Sequence, residues 1–251
     1  MAISLDATYP KTGSSGNDYI ASTFTVSSFA DGAASKLYVL AFLMSSDVYM
    51  SDPPTVTTSG ITWNLLNPQR WSGGGGYGGS YIYWYYDTSG TLTSGSTISV
   101  ARQNGGVSDP WGWIYGLYRL SGASPTQTVD GGATVGAIGG HTGTTTTSAS
   151  DTLTPTYSGS FMLGVNADAA FYGAPSGLTP TTGSVVGLKD SGTWGGSYAG
   201  MMVSSAPSLS TASTPFTFGF STPATDNWIS IALAEIKAAA GIDNQMLGWG
   251  W

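Results

Sequence analysis

The chain has no cysteine. Disulfides and thiolate-held metals are therefore excluded, and a fold of this size has to rest on its own core. Small secreted domains often carry disulfides, so their absence leans towards folding and assembly inside a cell. Charge is also scarce: Asp, Glu, Lys and Arg make up 8% of the 251 residues, against about 25% in an ordinary soluble domain. The basic residues (Lys11, Lys36, Arg70, Arg102, Arg119, Lys189 and Lys237) are scattered, and the net charge is −7. Nucleic-acid binding needs a cationic footprint, so it is not expected. No run of about 20 apolar residues exists to span a membrane as a helix. The opening Met1-Ala2-Ile3-Ser4-Leu5-Asp6 lacks the charged and apolar regions of a signal peptide, so the product is expected to start here. The only histidine is His141, too little for a transition-metal site, and no Asp-x-Asp-x-Asp run marks a calcium loop. No metal and no cofactor are expected.

What is present speaks for strands and turns. All but one of the 14 acidic residues are Asp, which suits turns, whereas Glu suits helices. Period-2 patterning recurs along the chain. Ile20, Phe24 and Val26 alternate with polar or small residues, and Leu37 to Met44 is an unbroken apolar run that fits a strand buried on both faces. Further strands are expected at Ile61–Leu66, Tyr81–Tyr86, Thr97–Ala101 and Trp113–Leu120. In the second half they are expected from Phe161, at Ser184–Leu188, Ser197–Val203 and Phe216–Phe220, and at Trp228–Ile236. Roughly ten to twelve short strands separated by Gly, Ser, Pro and Asp make an all-β, jelly-roll-like antiparallel sandwich. One domain over 1–238 is expected, followed by a C-terminal arm at 239–251. The Thr-rich stretch Thr142–Ser150 reads as a strand rather than a linker, because β-branched Thr favours pleated structure.

Several segments invite a chemical reading. The glycine-rich stretch from Trp71 to Ser80 lacks the Gly-Lys-Ser/Thr ending and the strand–loop–helix setting of a phosphate loop. It reads as a flexible strand connection, or as a place where a neighbouring backbone approaches closely. The chain holds nine Trp and fourteen Tyr. Trp63, Trp84, Trp113 and Trp228 sit on strand patterns and are expected in the core. Trp71, Trp111 and Trp194 lie among turn residues; with Tyr77 and Asp109 they form a candidate glycan-binding set, rings for stacking and a carboxylate for sugar hydroxyls. Catalysis has little material. His141 lies in a loop-like Gly-Gly-His-Thr-Gly, no Gly-x-Ser-x-Gly frames a serine, and Glu235 has no evident carboxylate partner for glycoside hydrolysis. The arm carries Met246, Leu247, Trp249 and Trp251, too apolar for a free end, and is a candidate subunit interface because Trp is enriched at interface hot spots. Folding back onto its own domain is the alternative.

Six stretches together resemble β-sandwich virion proteins of bacteriophages, especially minor tail proteins of actinobacterial phages. They are Met1-Ala2-Ile3-Ser4-Leu5-Asp6-Ala7, Leu37-Tyr38-Val39-Leu40-Ala41-Phe42, Gly60-Ile61-Thr62-Trp63, Tyr81-Ile82-Tyr83-Trp84-Tyr85, Tyr118-Arg119-Leu120-Ser121-Gly122, and Trp228 to Lys237. The resemblance implies a non-enzymatic minor tail or capsid-decoration subunit, with virion location, other virion subunits and further copies of itself as partners, and a host-surface glycan as a further partner. It carries no catalytic residues. A carbohydrate-binding module or cell-surface adhesin is the competing expectation.

Overall fold

The computed structural model describes residues 2–14, 23–46, 52–73, 76–102, 110–127, 136–143, 150–168, 179–181, 185–194, 197–206, 208–222 and 229–239. These residues build four antiparallel sheets and, among them, no helix. The first half of the chain makes an inner sheet from β1 (Ser4–Leu5), β2 (Lys11–Ser14), β4 (Lys36–Ser46), β7 (Asn64–Gly73), β8 (Gly76–Asp87) and β10 (Pro110–Ser121). Its order is β1-β10-β4-β8-β7, with β2 also paired to β10. An outer sheet, β3-β9-β5-β6, comes from β3 (Thr23–Ser27), β5 (Thr55–Thr58), β6 (Ile61–Thr62) and β9 (Thr97–Ala101).

The second half repeats the plan. Its inner sheet has the order β11-β18-β13-β16-β15, from β11 (Ile138–Gly143), β13 (Phe161–Asp168), β15 (Val185–Trp194), β16 (Ser197–Ser205) and β18 (Ile229–Ile236). Its outer sheet is β12-β17-β14, from β12 (Ser150–Leu153), β14 (Thr179–Pro180) and β17 (Phe216–Thr222). The all-β, sandwich-like class expected from the sequence is the observed one, carried four sheets deep. These strand orders do not establish a jelly-roll topology.

The layering follows from which strands are apolar on both faces. In β4, Leu37, Val39, Ala41 and Leu43 face the second inner sheet, while Tyr38, Leu40, Phe42 and Met44 face the first outer sheet. Period-2 alternation makes one strand serve two cores. In β18, Ala232, Ala234 and Ile236 join the central core and Ile229, Ile231 and Leu233 the second outer one. All eight β18 residues are buried. Truncating Leu40 or Leu163, both fully buried, would cost about 2–5 kcal/mol.

Where the inner sheets meet, small residues let backbones approach. A Cβ on Gly116 would stand 2.8 Å from Val203 Cγ1. A bulge between Leu65 and Asn67 turns Asn67 towards the facing sheet, where its Nδ2 donates to Leu233 O at 2.8 Å. Ser80 N donates to Ser230 Oγ at 2.9 Å, and Ser230 Oγ donates to Gln69 O at 2.8 Å. These bonds fix the strand starts of β8 and β18 side by side.

Several expectations need correction. Trp71, Trp111 and Trp194 are in β7, β10 and β15, not in turns. The glycine-rich stretch is mostly strand, because β7 runs to Gly73 and β8 starts at Gly76. Glycine is a poor strand former, but pairing with Ser45 and Ser46 of β4 carries the ladder through it. His141 lies in β11, opposite Ile231, not in a loop. Of the Thr-rich stretch, Thr142 and Gly143 end β11 and Ser150 starts β12, while 144–149 lie outside the described residues. So do Ile20, Trp228 and Asp109, and the arm residues Met246, Leu247, Trp249 and Trp251.

Candidate functional site: two unlike ends of the sheet stack

The registers sort the strand ends into two groups. At one end lie the turns after β8, the β1 strand, the end of β10, and the end of β18. Here acids and bases are consumed in holding the chain. Arg119 Nε donates to Asp6 Oδ2 at 2.6 Å, Lys36 Nζ reaches the same oxygen at 3.0 Å, and Ser121 Oγ donates to Asp6 Oδ1 at 2.7 Å. Arg119 Nη1 lies 2.7 Å from Asp31 Oδ1, and the guanidinium sits 5.0 Å from the centre of the Tyr9 ring. Burial alone would push the Asp6 carboxyl up; the Ser121 hydroxyl and the Lys36 and Arg119 charges outweigh it and hold it below the usual range.

Asp87, fully buried at the end of β8, works alone as a turn clamp. Its Oδ1 accepts from Gly90 N at 2.9 Å, Thr91 N at 3.0 Å and Thr91 Oγ1 at 3.1 Å, and its Oδ2 from Leu92 N at 2.9 Å. Burial raises its carboxyl, but the donors led by Leu92 N bring it below the ordinary value. Glu235, also fully buried, gathers four donors at 2.8 Å. Oε1 takes Tyr157 N and Ser160 Oγ, and Oε2 takes Ala137 N and Thr156 N. The single glutamate is thus a tie between three segments, with no second carboxylate facing it among its bonded neighbours. Gln127 joins the halves: its Nε2 donates to Ser124 O at 2.9 Å and Lys237 O at 3.1 Å, and its Oε1 accepts from Lys237 N at 2.9 Å. Ala239, the last described residue, donates to Gly122 O at this same closed end.

The opposite end gathers the other strand ends. In the first half, Pro110 pairs with Ser46, Ser46 with Tyr77, and Tyr77 with Ser72, so one rung crosses four strands. Ser14 pairs with Ile114, and Thr23 with Ala101. In the second half, Gly143 pairs with Ile229, Ile229 with Asp168 and Asp168 with Gly200, while Thr179 pairs with Thr222. The strand ends that border 15–22, 47–51, 74–75, 103–109, 144–149, 169–178 and 223–228 all fall here. Three of the expected glycan residues lie at this end of one sheet: Tyr77 of β8 is on the rung, Trp71 is one residue along β7 from it, and Trp111 of β10, across β4, sits in the bulge between Pro110 and Gly112. Trp194, opposite Ser197 on the second inner sheet, is at the same end, three residues beyond the Ser191–Gly200 pair, but not on that rung.

Below the rung, β10 adds a stack that includes Trp113, which its strand pattern placed in the core. Trp113 is only partly buried and lies 4.6 Å from the Phe24 ring at 17°; Tyr115 lies 5.8 Å from Phe24 at 9°. Gly13 of β2 makes room for the Tyr115 ring, since a Cβ there would stand 2.8 Å from Tyr115 Cε1. The alternation Trp113, Tyr115, Leu117 along one face was the signal; that the sheet edge leaves its first two members half covered was not in it. Among the described residues no group of His, Cys, Asp or Glu is arranged to hold a metal ion, and no helix is long and apolar enough to cross a membrane. No family model, curated protein or solved structure matches the chain.

Proposed function

We propose that this chain is a non-catalytic structural subunit of a bacteriophage particle, a minor tail or capsid-decoration protein that meets the host surface with its open end. The observation that carries the reading is the polarity of the sheet stack. One end is closed by Asp6, Asp87, Arg119 and Glu235, and the described chain finishes there, at Ala239, where the apolar arm begins. The other end gathers strand termini, with Trp71 on β7, Tyr77 on β8 and Trp111 on β10, across β4, in one sheet. Binding surfaces are commonly built from the connections at one end of a rigid sandwich. In this reading the arm, with Met246, Leu247, Trp249 and Trp251, docks the subunit onto its neighbours, as hot-spot indoles do.

The test is a chain ending at Ala239. It is expected to melt as the full chain does and to be missing from assembled particles or oligomers. Normal incorporation of the shortened chain overturns the arm's role, and a sharp fall in melting temperature assigns the arm to its own core.

A further inference from the structure

The strands of the first outer sheet turn an uncharged, hydroxyl-bearing side outward. Its strands read Thr-Phe-Thr-Val-Ser, Thr-Ile-Ser-Val-Ala, Thr-Val-Thr-Thr and Ile-Thr, with no charged residue. Phe24, Val26, Ile98, Val100 and Val56 point into the core, which leaves hydroxyls outside. Register then lines them up: Thr25 pairs with Ser99, Ser99 with Thr57, and Thr57 with Thr62, a four-strand rung of hydroxyls. Thr23 and Ser27 flank it on β3, both exposed.

These hydroxyls are unused. Among the described residues, the side chains of Thr23, Thr25, Ser27, Thr57, Thr62 and Ser99 make no hydrogen bond within the chain. The second outer sheet is also rich in Thr, but there Thr152 Oγ1 and Thr217 Oγ1 bond each other at 2.8 Å and Thr181 Oγ1 donates to Thr217 O at 3.0 Å. Composition alone therefore does not distinguish the two faces; the free donors and acceptors do.

We propose that this face binds a neutral polysaccharide, edge-on, through the Thr25–Ser99–Thr57–Thr62 rung. The inference goes beyond the attachment reading at the open end and assigns a second surface, on the outer sheet. Strands about 4.8 Å apart with a rise of about 3.3 Å per residue give a face of roughly 250 Å². That is about a third of the 800 Å² per partner that a stable protein interface buries, so a second copy would not be held here. A face without charge gains nothing from an anionic or cationic polymer, and each of its hydroxyls both donates and accepts, as sugar hydroxyls require. Binding per copy is weak, and an array of copies on a particle multiplies it.

The experiment uses the purified full chain over immobilised arabinogalactan and dextran, with heparin as the charged control. Binding to a neutral polymer, unchanged by added salt, is the expected result. Thr25→Lys and Ser99→Lys, both on the outer side of the sheet, should each weaken it about tenfold with the melting curve preserved. Thr152→Lys on the opposite outer sheet should leave it intact. If either variant unfolds, Thr57→Ser with its hydroxyl kept and Thr57→Val with it removed make the same comparison. Failure to bind either neutral polymer, binding to heparin only, or equal binding by the face variants overturns the proposal. So does a dimer of the full chain that Ser99→Lys dissolves. A chain that binds the glycan yet is absent from particles would sink the virion reading alone; one present in particles that does not bind would sink only this inference.

Discussion

The two ends of the sheet stack treat their polar groups in opposite ways. At the closed end every charge described has a partner, and Asp87 and Glu235 are buried completely because backbone N–H groups surround them. At the open end the rung from Pro110 to Ser72 runs through Ser46 and Tyr77 and carries no charge. A buried carboxylate that organises turns contributes stability and cannot be changed cheaply. The open-end rung holds no such carboxylate. The difference teaches where substitutions should unfold the protein and where they should only change what it meets.

The largest expected effect is at Glu235. Glu235→Ala strands four donors in the interior and should cost about 3–5 kcal/mol, read from urea unfolding. A loss below 1 kcal/mol, of the size usual for surface sites, would show that the tie is dispensable.

Asp87 comes next. Asp87→Asn keeps the shape but loses the charge, with an expected cost of about 2 kcal/mol. The pH dependence has a fixed sign. The carboxyls of Asp87 and Asp6 titrate lower in the folded chain than in the unfolded one, so their stabilisation is complete above the ordinary carboxylate value near pH 4 and is lost as pH falls through their folded values. Acid unfolding of Asp87→Asn should be correspondingly shallower; an unchanged acid limb would contradict this.

A smaller effect, of opposite sign, is expected at Asn166. It is fully buried between the second pair of sheets, and neither Nδ2 nor Oδ1 has a hydrogen-bond partner. Asn166→Leu should raise stability by about 1 kcal/mol in thermal melts. A destabilised variant would mean that the amide is satisfied in solution. Smallest of all are Trp71→Ala and Trp111→Ala at the open end, expected to shift the melting temperature little while lowering attachment to host cells. A large drop in melting temperature would place those rings in the core.

Much of this was legible in the sequence. The run Leu37 to Met44 announces a strand with two buried faces, and Trp63 and Trp84 are buried as their strand patterns require. What periodicity could not supply is how many faces a core has. Phe161, Leu163 and Val165 alternate with Met162, Gly164 and Asn166, a pattern that suggests one buried face, yet all six are buried because another sheet covers each side. Short strands such as Thr55–Thr58 and Ser150–Leu153 carry too few apolar residues to stand out, and their pairing with β9 and β17 defines them. The glycan candidates were chosen residue by residue, and only register shows that Trp71, Tyr77 and Trp111 lie at one end of the first inner sheet, with Trp194 at the same end of the second. The roles of Asp6, Asp87 and Glu235 depend on contacts between residues far apart in the chain, which no local pattern records.

Because the chain has no cysteine, its two ends can be labelled one at a time on assembled particles. Thr142, exposed near the end of β11, marks the open end, and Thr126, exposed beside the Gln127 tie, marks the closed end. Thr142→Cys and Thr126→Cys chains would be assembled and then treated with a biotin maleimide. The expected result is rapid labelling at position 142 and protection at position 126, with both positions reactive in the free protein. Protection at 142 with labelling at 126 would mean that the open end faces the particle, and would contradict the central claim.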